Sequence, residues 1–278
     1  MTETFRAALV QFTAARDVAP NLETVDGLVR AAHAGGAAFV LTPENTNFLE
    51  PNTKRAREKA VTEDDDAMLA HLSGLAKELG LWILVGSVSV AGGADKRANR
   101  SVLIDATGTI TARYDKIHMF DVDIDDGQSY RESAVIEAGR RAVVADTPWG
   151  KLGLSICYDL RFPHLYRALA QGAGGSGADM LAVPAAFTRT TGEAHWHTLL
   201  KARAIENGCF VFAPAQCGTH AEGRQTFGHS LVVDPWGHVM ADGGEAPGVV
   251  FADVDMARVA EARRMIPALG HDRDFDGP

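Results

Sequence analysis

Short runs rich in Val, Ile and Leu recur at residues 7–12, 38–42, 82–90, 181–186 and 210–213, and what separates them changes along the chain. Most are too short for helices and several are apolar throughout, so they read as strands buried on both faces. Between the early runs lie helical patterns. Asn21 can cap a helix carrying Val25, Leu28, Val29 and Ala32 on one side, and Asp66 can cap another with Leu69, Leu72, Leu75, Ala76 and Leu79, stopped by Gly80. Later, strand pairs flank tight turns instead. Residues 103–105 and 109–114 flank Asp105-Ala106-Thr107-Gly108, 143–145 and 152–157 flank Thr147-Pro148-Trp149-Gly150, and 231–233 and 238–241 flank Asp234-Pro235-Trp236-Gly237. Hairpins mixed with packed helices predict an α/β protein of mixed sheets covered by helices, not an all-parallel dinucleotide-binding sheet. No Ser- or Pro-rich linker interrupts the pattern, so residues 1–270 read as a single domain and 271–278 as a polar, acidic tail.

The charge balance narrows the partners. With 36 acidic and 27 basic residues in 278, a net charge of -9, the chain carries no basic stripe suited to nucleic acid. No apolar run reaches the roughly 18 to 20 residues that a membrane helix needs. The opening residues lack a basic segment followed by a long apolar one and run into a strand, which predicts a cytoplasmic protein. Cys157, Cys209 and Cys217 are odd in number and include no CxxC pair, so neither disulfides nor a Cys-rich zinc site is suggested. A cysteine with a function here works as a thiol.

Several motifs fail on context. Gly172, Gly174 and Gly177 match G-x-G-x-x-G but follow a helical stretch and precede a strand, the reverse of the polarity that aims helix N–H groups at a pyrophosphate. Asp121, Asp123, Asp125 and Glu132 fall at calcium-loop positions, yet Asp126 stands where glycine is needed and a strand precedes the loop. His195 and His197 are two apart on a helix and face different ways, so they cannot share a metal. Cys209 and Cys217 read as small core residues, and the Asn99-Arg100-Ser101 sequon has no meaning in a protein that is not secreted.

Glu44, Lys116 and Cys157 share one context: each stands where the chain leaves an apolar strand. Singly, such a Glu or Lys is usually solvated and such a Cys usually packs. Together they cover a reaction. A thiol with a reference pKa of about 8.5 needs a base near neutral pH, and an acyl intermediate needs a cation or N–H donors for its oxyanion. No metal ion or organic cofactor is then required.

The residues flanking the three add a resemblance. Thr42-Pro43-Glu44-Asn45, Tyr114-Asp115-Lys116-Ile117-His118-Met119-Phe120-Asp121 and Ser155-Ile156-Cys157-Tyr158-Asp159-Leu160-Arg161-Phe162-Pro163 resemble, in order, the signature blocks of the nitrilase, or carbon–nitrogen hydrolase, superfamily. The likeness covers nearly the whole chain and includes Asn99-Arg100-Ser101, Ser129-Tyr130-Arg131-Glu132-Ser133 and residues 194–207. It implies a four-layer α-β-β-α sandwich in which Glu44 is the general base, Lys116 stabilises the tetrahedral intermediate and Cys157 forms a thioester. Glu132 matches an additional glutamate of many members and would hold the Lys116 ammonium, unless it is an ordinary loop carboxylate. The backbone N–H of Tyr158 would be a second oxyanion donor.

Pro184-Ala185-Ala186-Phe187-Thr188, with Thr191-Gly192, Ala194-His195-Trp196, Ala215-Gln216 and Gly228-His229-Ser230, looks most like the branch of small nitrilase-like amidases, which places Phe187 and Thr188 at the substrate. Amidases of deaminated glutathione and of α-ketoglutaramate belong to that branch, and similarity across 191–207 leans to the former. Both substrates present an α-ketoglutaryl unit, so the acyl pocket needs a cation for the distal carboxylate. Arg161 is one candidate, with pairing to Asp159 or Glu132 as the alternative use of its charge; Arg131 is the other. The resemblance further implies a small-molecule amide as substrate and a homodimer or larger homo-oligomer.

Overall fold

The computed structural model describes residues 4–277 apart from 94, 125–127 and 176. The chain opens with β1 (Thr4–Gln11), α1 (Val18–Ala34), β2 (Phe39–Leu41), α2 (Thr53–Lys59), α3 (Ala67–Leu79), β3 (Trp82–Ala91), β4 (Arg97–Ile104) and β5 (Ile110–Asp115). A small hairpin, β6 (Asp121–Ile124) and β7 (Gln128–Arg131), leads to β8 (Val143–Thr147), β9 (Gly150–Leu154), α4 (Pro163–Gln171), β10 (Met180–Ala182), α5 (Arg189–Asn207) and β11 (Phe210–Ala213). A second small hairpin, β12 (Cys217–Thr219) and β13 (Gln225–Phe227), precedes β14 (Leu231–Val233), β15 (Val239–Asp242), β16 (Gly248–Asp255) and α6 (Ala257–Met265).

These strands make two six-stranded sheets, ordered β16-β1-β2-β3-β4-β5 and β15-β14-β11-β10-β9-β8. Each has three parallel strands at its centre, β1-β2-β3 and β9-β10-β11, flanked by antiparallel ones. The centres are the apolar runs joined through helices; the flanks are the hairpins. Alternation along each strand builds the layers. Ala7, Leu9, Phe39 and Leu41 point at the second sheet, while Ala8, Val10 and Val40 pack on Val25, Val29, Leu69 and Leu72 of α1 and α3. Aromatic rings fill the space between sheets: Phe5 stacks on Trp149 at 4.4 Å and Phe39 meets Phe212 edge-on at 6.4 Å. With α4 and α5 on the far side of the second sheet, the order is α-β-β-α, as the sequence predicted.

Two local expectations need correction. Asn21 is no helix cap, because α1 begins at Val18 with Pro20 in its first turn, where a missing N–H costs nothing. Its buried amide instead accepts from Ala15 N and donates to the carbonyls of Ala15 and Asn47, fastening two loops. The expected strand at 181–186 ends at Ala182, since Pro184 has no N–H and the chain turns away toward the site. Asp66 does cap α3, accepting from Leu69 N at 3.0 Å, and Gly80 ends that helix in the left-handed region.

Candidate active site

Glu44 leaves the sheet just after β2. Its turn lies so close to β3 that a Cβ on Gly86 would come within 1.9 Å of the Thr42 carbonyl oxygen, so only glycine fits there. The carboxylate is 3% exposed and fully engaged. Oε1 accepts from Asn99 Nδ2 at 2.8 Å and Lys116 Nζ at 3.0 Å, and Oε2 accepts from Ala186 N at 2.8 Å. Asn99 belongs to β4 and Lys116 follows the paired β5, so one strand pair delivers both donors. Lys116 Nζ also donates to both Glu132 oxygens, at 3.0 and 2.9 Å, and Glu132 Oε2 accepts from Phe120 N at 2.7 Å.

Cys157 comes from the other sheet, after β9. Its φ of 49° lies in the left-handed region, unusual for a residue with a side chain and sustained here by a hydrogen bond from Cys157 N to Pro184 O at 2.9 Å. Buried Asp159 ties this turn to the lysine loop: it accepts from Tyr114 OH at 2.7 Å, Ile156 N at 2.8 Å and His118 N at 3.0 Å. The three strand-end residues, separated by up to 113 positions, thus meet beyond the C-terminal ends of strands from both sheets.

The charges follow from this packing. Burial opposes the Glu44 charge, but the Lys116 ammonium, a hydrogen bond from the Cys157 thiol and Asn99 hold its carboxyl below the usual carboxylate range. Burial likewise opposes the Lys116 charge, and Glu132 and Glu44 overcome it, keeping the ammonium protonated well past its usual range. Burial and the neighbouring Glu44 charge push the Cys157 thiol up against the pull of Lys116. The resting set is a carboxylate, an ammonium and a neutral thiol that interacts with the carboxylate.

Cys157, Glu44 and Lys116 form one wall of a cavity of about 260 Å³. Tyr158, Phe187, Thr188, Glu132 and Arg131 line it as well. Arg131 is committed elsewhere, in a two-pronged pair with Asp123 at 2.8 and 2.9 Å. Arg161 does not line the cavity: its guanidinium lies over the rings of Tyr158 and Phe187 and 3.3 Å from His195 Nδ1. Nor does it pair with Asp159 or Glu132, which His118 and Lys116 occupy. Two lining arginines went unnoticed in the sequence, Arg97 at the start of β4 and Arg224 just before β13. A basic residue at a strand end ordinarily reads as solvated, so no local signal marked them.

The rejected motifs are used otherwise. Asp121 accepts from Ser133 N, Asp123 pairs with Arg131 and Glu132 holds Lys116, while Asp125 and Asp126 lie outside the described residues. His197 does not join His195; it meets Asp242 at 3.0 Å, which also bonds His229 Nδ1 at 2.8 Å. Two imidazoles and a carboxylate are a donor set of the kind that holds a divalent cation, and here these atoms satisfy one another.

Comparison with known proteins agrees with this architecture. A family model described as carbon–nitrogen hydrolase matches residues 6–264. A Synechocystis protein named deaminated glutathione amidase is 43% identical over 271 residues, 96% of this chain and 97% of its own. Among solved structures, the Caenorhabditis elegans NitFhit protein superposes with a TM-score of 0.90 at 37% identity, covering 98% of this chain and 66% of that longer one. Saccharomyces cerevisiae Nit3, of branch 10 of the nitrilase superfamily, superposes with a TM-score of 0.87 at 27% identity, covering 99% and 98%. The chain belongs to the carbon–nitrogen hydrolase family and is an enzyme acting on amides.

Proposed function

We infer that the protein hydrolyses deaminated glutathione, the α-ketoglutaryl amide of cysteinylglycine, through a thioester on Cys157. As sulfur attacks the amide carbonyl, the thiol proton passes to Glu44, the acceptor already facing it. The oxyanion forms beside the Lys116 ammonium and the backbone N–H of Tyr158, the latter at the start of a helical turn where N–H groups have no partner within the helix. Glu44 then hands its proton to the leaving nitrogen, and cysteinylglycine departs. Water replaces it, Glu44 takes a proton from that water as it attacks the thioester, and α-ketoglutarate leaves with the thiol restored. Glu132 keeps the ammonium in position throughout.

The observation that carries the mechanism is the sharing of Glu44 Oε1 by Lys116 Nζ and Asn99 in a buried cluster beside a cavity-lining cysteine. The substrate reading is supported by the name borne by relatives at 43 and 40% identity over 96% of this chain. Two measurements test it. Intact-protein mass spectrometry after brief mixing with deaminated glutathione should show an α-ketoglutaryl adduct on Cys157. Parallel assays should give the larger kcat/KM for deaminated glutathione; a preference for α-ketoglutaramate would make the protein an ω-amidase instead. We also take the active form to be a homodimer or larger assembly, which light scattering reads directly.

A further inference from the structure

The charges lining the catalytic cavity do not balance. Each lining carboxylate has a cation: Glu44 and Glu132 share Lys116, and buried Glu50 is held by Arg55 and Lys59, both at 3.3 Å. Among the lining cations, Lys116 and Arg131 have carboxylates. Arg97 and Arg224 form no ion pair among the described residues. Arg97 donates only from one terminal nitrogen to Ser89 Oγ at 2.6 Å, and Arg224 from one to the Ala186 carbonyl at 3.0 Å.

Both positions cost stability as they stand. Five buried side-chain polar atoms among the described residues have no hydrogen-bond partner, and three belong to this lining: Arg97 Nε, Arg224 Nε and Asn99 Oδ1. A buried N–H without an acceptor is unfavourable; beyond those two hydrogen bonds Arg97 feels only the more distant charge of Glu132, and Arg224 lies over the Tyr130 ring. The two arginines also come from different parts of the fold. Arg97 opens β4, on the sheet that carries Glu44 and Lys116; Arg224 immediately precedes β13, in the hairpin bridged to Thr188 beyond the catalytic wall. They offer two separate cationic positions in one cavity.

We propose that Arg97 and Arg224 are the specificity residues of the site, each receiving one terminal carboxylate of a linear amide that is anionic at both ends. The assignment rests on the substrate reading above, since deaminated glutathione has that charge pattern: a keto-acid carboxylate on the acyl side and a glycyl carboxylate on the leaving side. Guanidinium binds carboxylate through two parallel N–H···O bonds. Arg161 and Arg131, the cations suggested by sequence, take no part.

Binding to the Cys157→Ala protein tests this without turnover. The ligands for calorimetry are deaminated glutathione and two analogues, one with the glycyl carboxylate and one with the keto-acid carboxylate converted to a primary carboxamide. Loss of either charge should weaken binding by about tenfold or more, the usual scale of a charge-assisted hydrogen bond. Arg97→Gln and Arg224→Gln, each added to Cys157→Ala, should each remove the preference for one carboxylate and leave the other intact, which also assigns the two ends. Arg161→Gln should change neither. The proposal falls if either carboxamide binds within threefold of the parent, a result that needs no arginine variant to fold. It falls equally if each arginine variant weakens all three ligands alike, or if the charge preference vanishes in Arg161→Gln. Failure of the substrate reading is separate: wild-type protein would then leave deaminated glutathione intact, whatever the binding series gives.

Discussion

Cys157 and Cys209 are both free thiols buried beside a cation, and their surroundings give them different work. Cys209 has Arg263 at 3.1 Å, and Arg263 in turn pairs with Asp179 at 3.2 Å, so a cation and a carboxylate are present there too. Its own proton goes to the carbonyls of Ala178 at 3.2 Å and Asn207 at 3.4 Å, which cannot take it. Burial pushes that thiol up to about 12 despite Arg263. Around Cys157, the sulfur interacts with a carboxylate and an ammonium, the backbone is held in an unusual conformation and one side opens on a cavity. Proximity to positive charge is therefore not what distinguishes the two thiols. A neighbouring carboxylate and an adjoining cavity are, and the proposed nucleophile is the one that has both.

The largest expected effect is on Cys157. Cys157→Ala should remove turnover while far-ultraviolet circular dichroism and the unfolding midpoint stay near wild type, because the lost sulfur lies at a cavity wall. Measurable hydrolysis by this variant at more than about a thousandth of the wild-type rate would break the contrast between the two thiols.

Glu44→Gln follows. The amide keeps the side chain's shape but cannot take the thiol proton, so kcat should fall by about a thousandfold, the scale of lost general-base catalysis. The pH profile sharpens the point. Glu44 is held below the usual carboxylate range and Lys116 well above the usual ammonium range, so both remain charged between those limits while the thiol stays neutral. With sulfur deprotonated only during attack, kcat/KM should be flat from roughly pH 6 to pH 9, falling on the acid side only as pH drops through the lowered Glu44 value. A tenfold rise per pH unit across that range would mean that a preformed thiolate reacts, and the proton-acceptor account would fail.

Asp159→Asn probes what supports Cys157 and has no counterpart at Cys209. Asp159 accepts from Ile156 N beside the nucleophile and from Tyr114 OH and His118 N on the lysine loop, so the amide would turn a donor toward groups that donate. A cost of about 2–4 kcal/mol in unfolding free energy and a drop in kcat of about ten- to a hundredfold should appear together. A loss of stability with kcat unchanged would show that the tether shapes the core and not the site.

These supports explain which parts of the molecule could be read from sequence. Glu44, Lys116 and Cys157 stand at the ends of apolar strands, where each strand's own pattern marks the exit of the chain. The hairpins at residues 105–108, 147–150 and 234–237 were marked by turn residues, and helices alternating with apolar runs predicted mixed sheets covered by helices, while the α-β-β-α order came from the family resemblance. Arg97 and Arg224 carry no such local mark, and Asn99 and Asp159 are marked only as members of stretches that resemble the family. Asn99 is 55 residues from the Glu44 it holds, and Arg224 comes within reach of Ala186 only because β13 docks against the chain after Phe187. Their meaning lies in what the fold brings beside them, and a polar residue beside a strand reads as solvated until that neighbour is known. Arg161 is the converse case: the family resemblance suggested a carboxylate-binding residue four after Cys157, but the helical turn that begins at Cys157 carries its guanidinium over the rings of Tyr158 and Phe187.

The smallest effect closes the comparison from the other side. Cys209→Ala deletes a sulfur that packs in the core, donates to backbone carbonyls and accepts from Arg263. Hydrolysis should stay within about twofold of wild type, because no atom of this cluster lines the catalytic cavity and nothing there passes a proton. Stability should fall by about 1–2 kcal/mol, the price of a small void and of a guanidinium left with one partner fewer. Iodoacetamide labelling supplies the direct readout: wild type and Cys209→Ala should both take up label at Cys157, and Cys157→Ala should take up none while folded. Labelling of native Cys209 at a rate comparable to Cys157 would mean that a buried thiol beside an arginine is enough for reactivity, and the distinction between the two clusters would be lost.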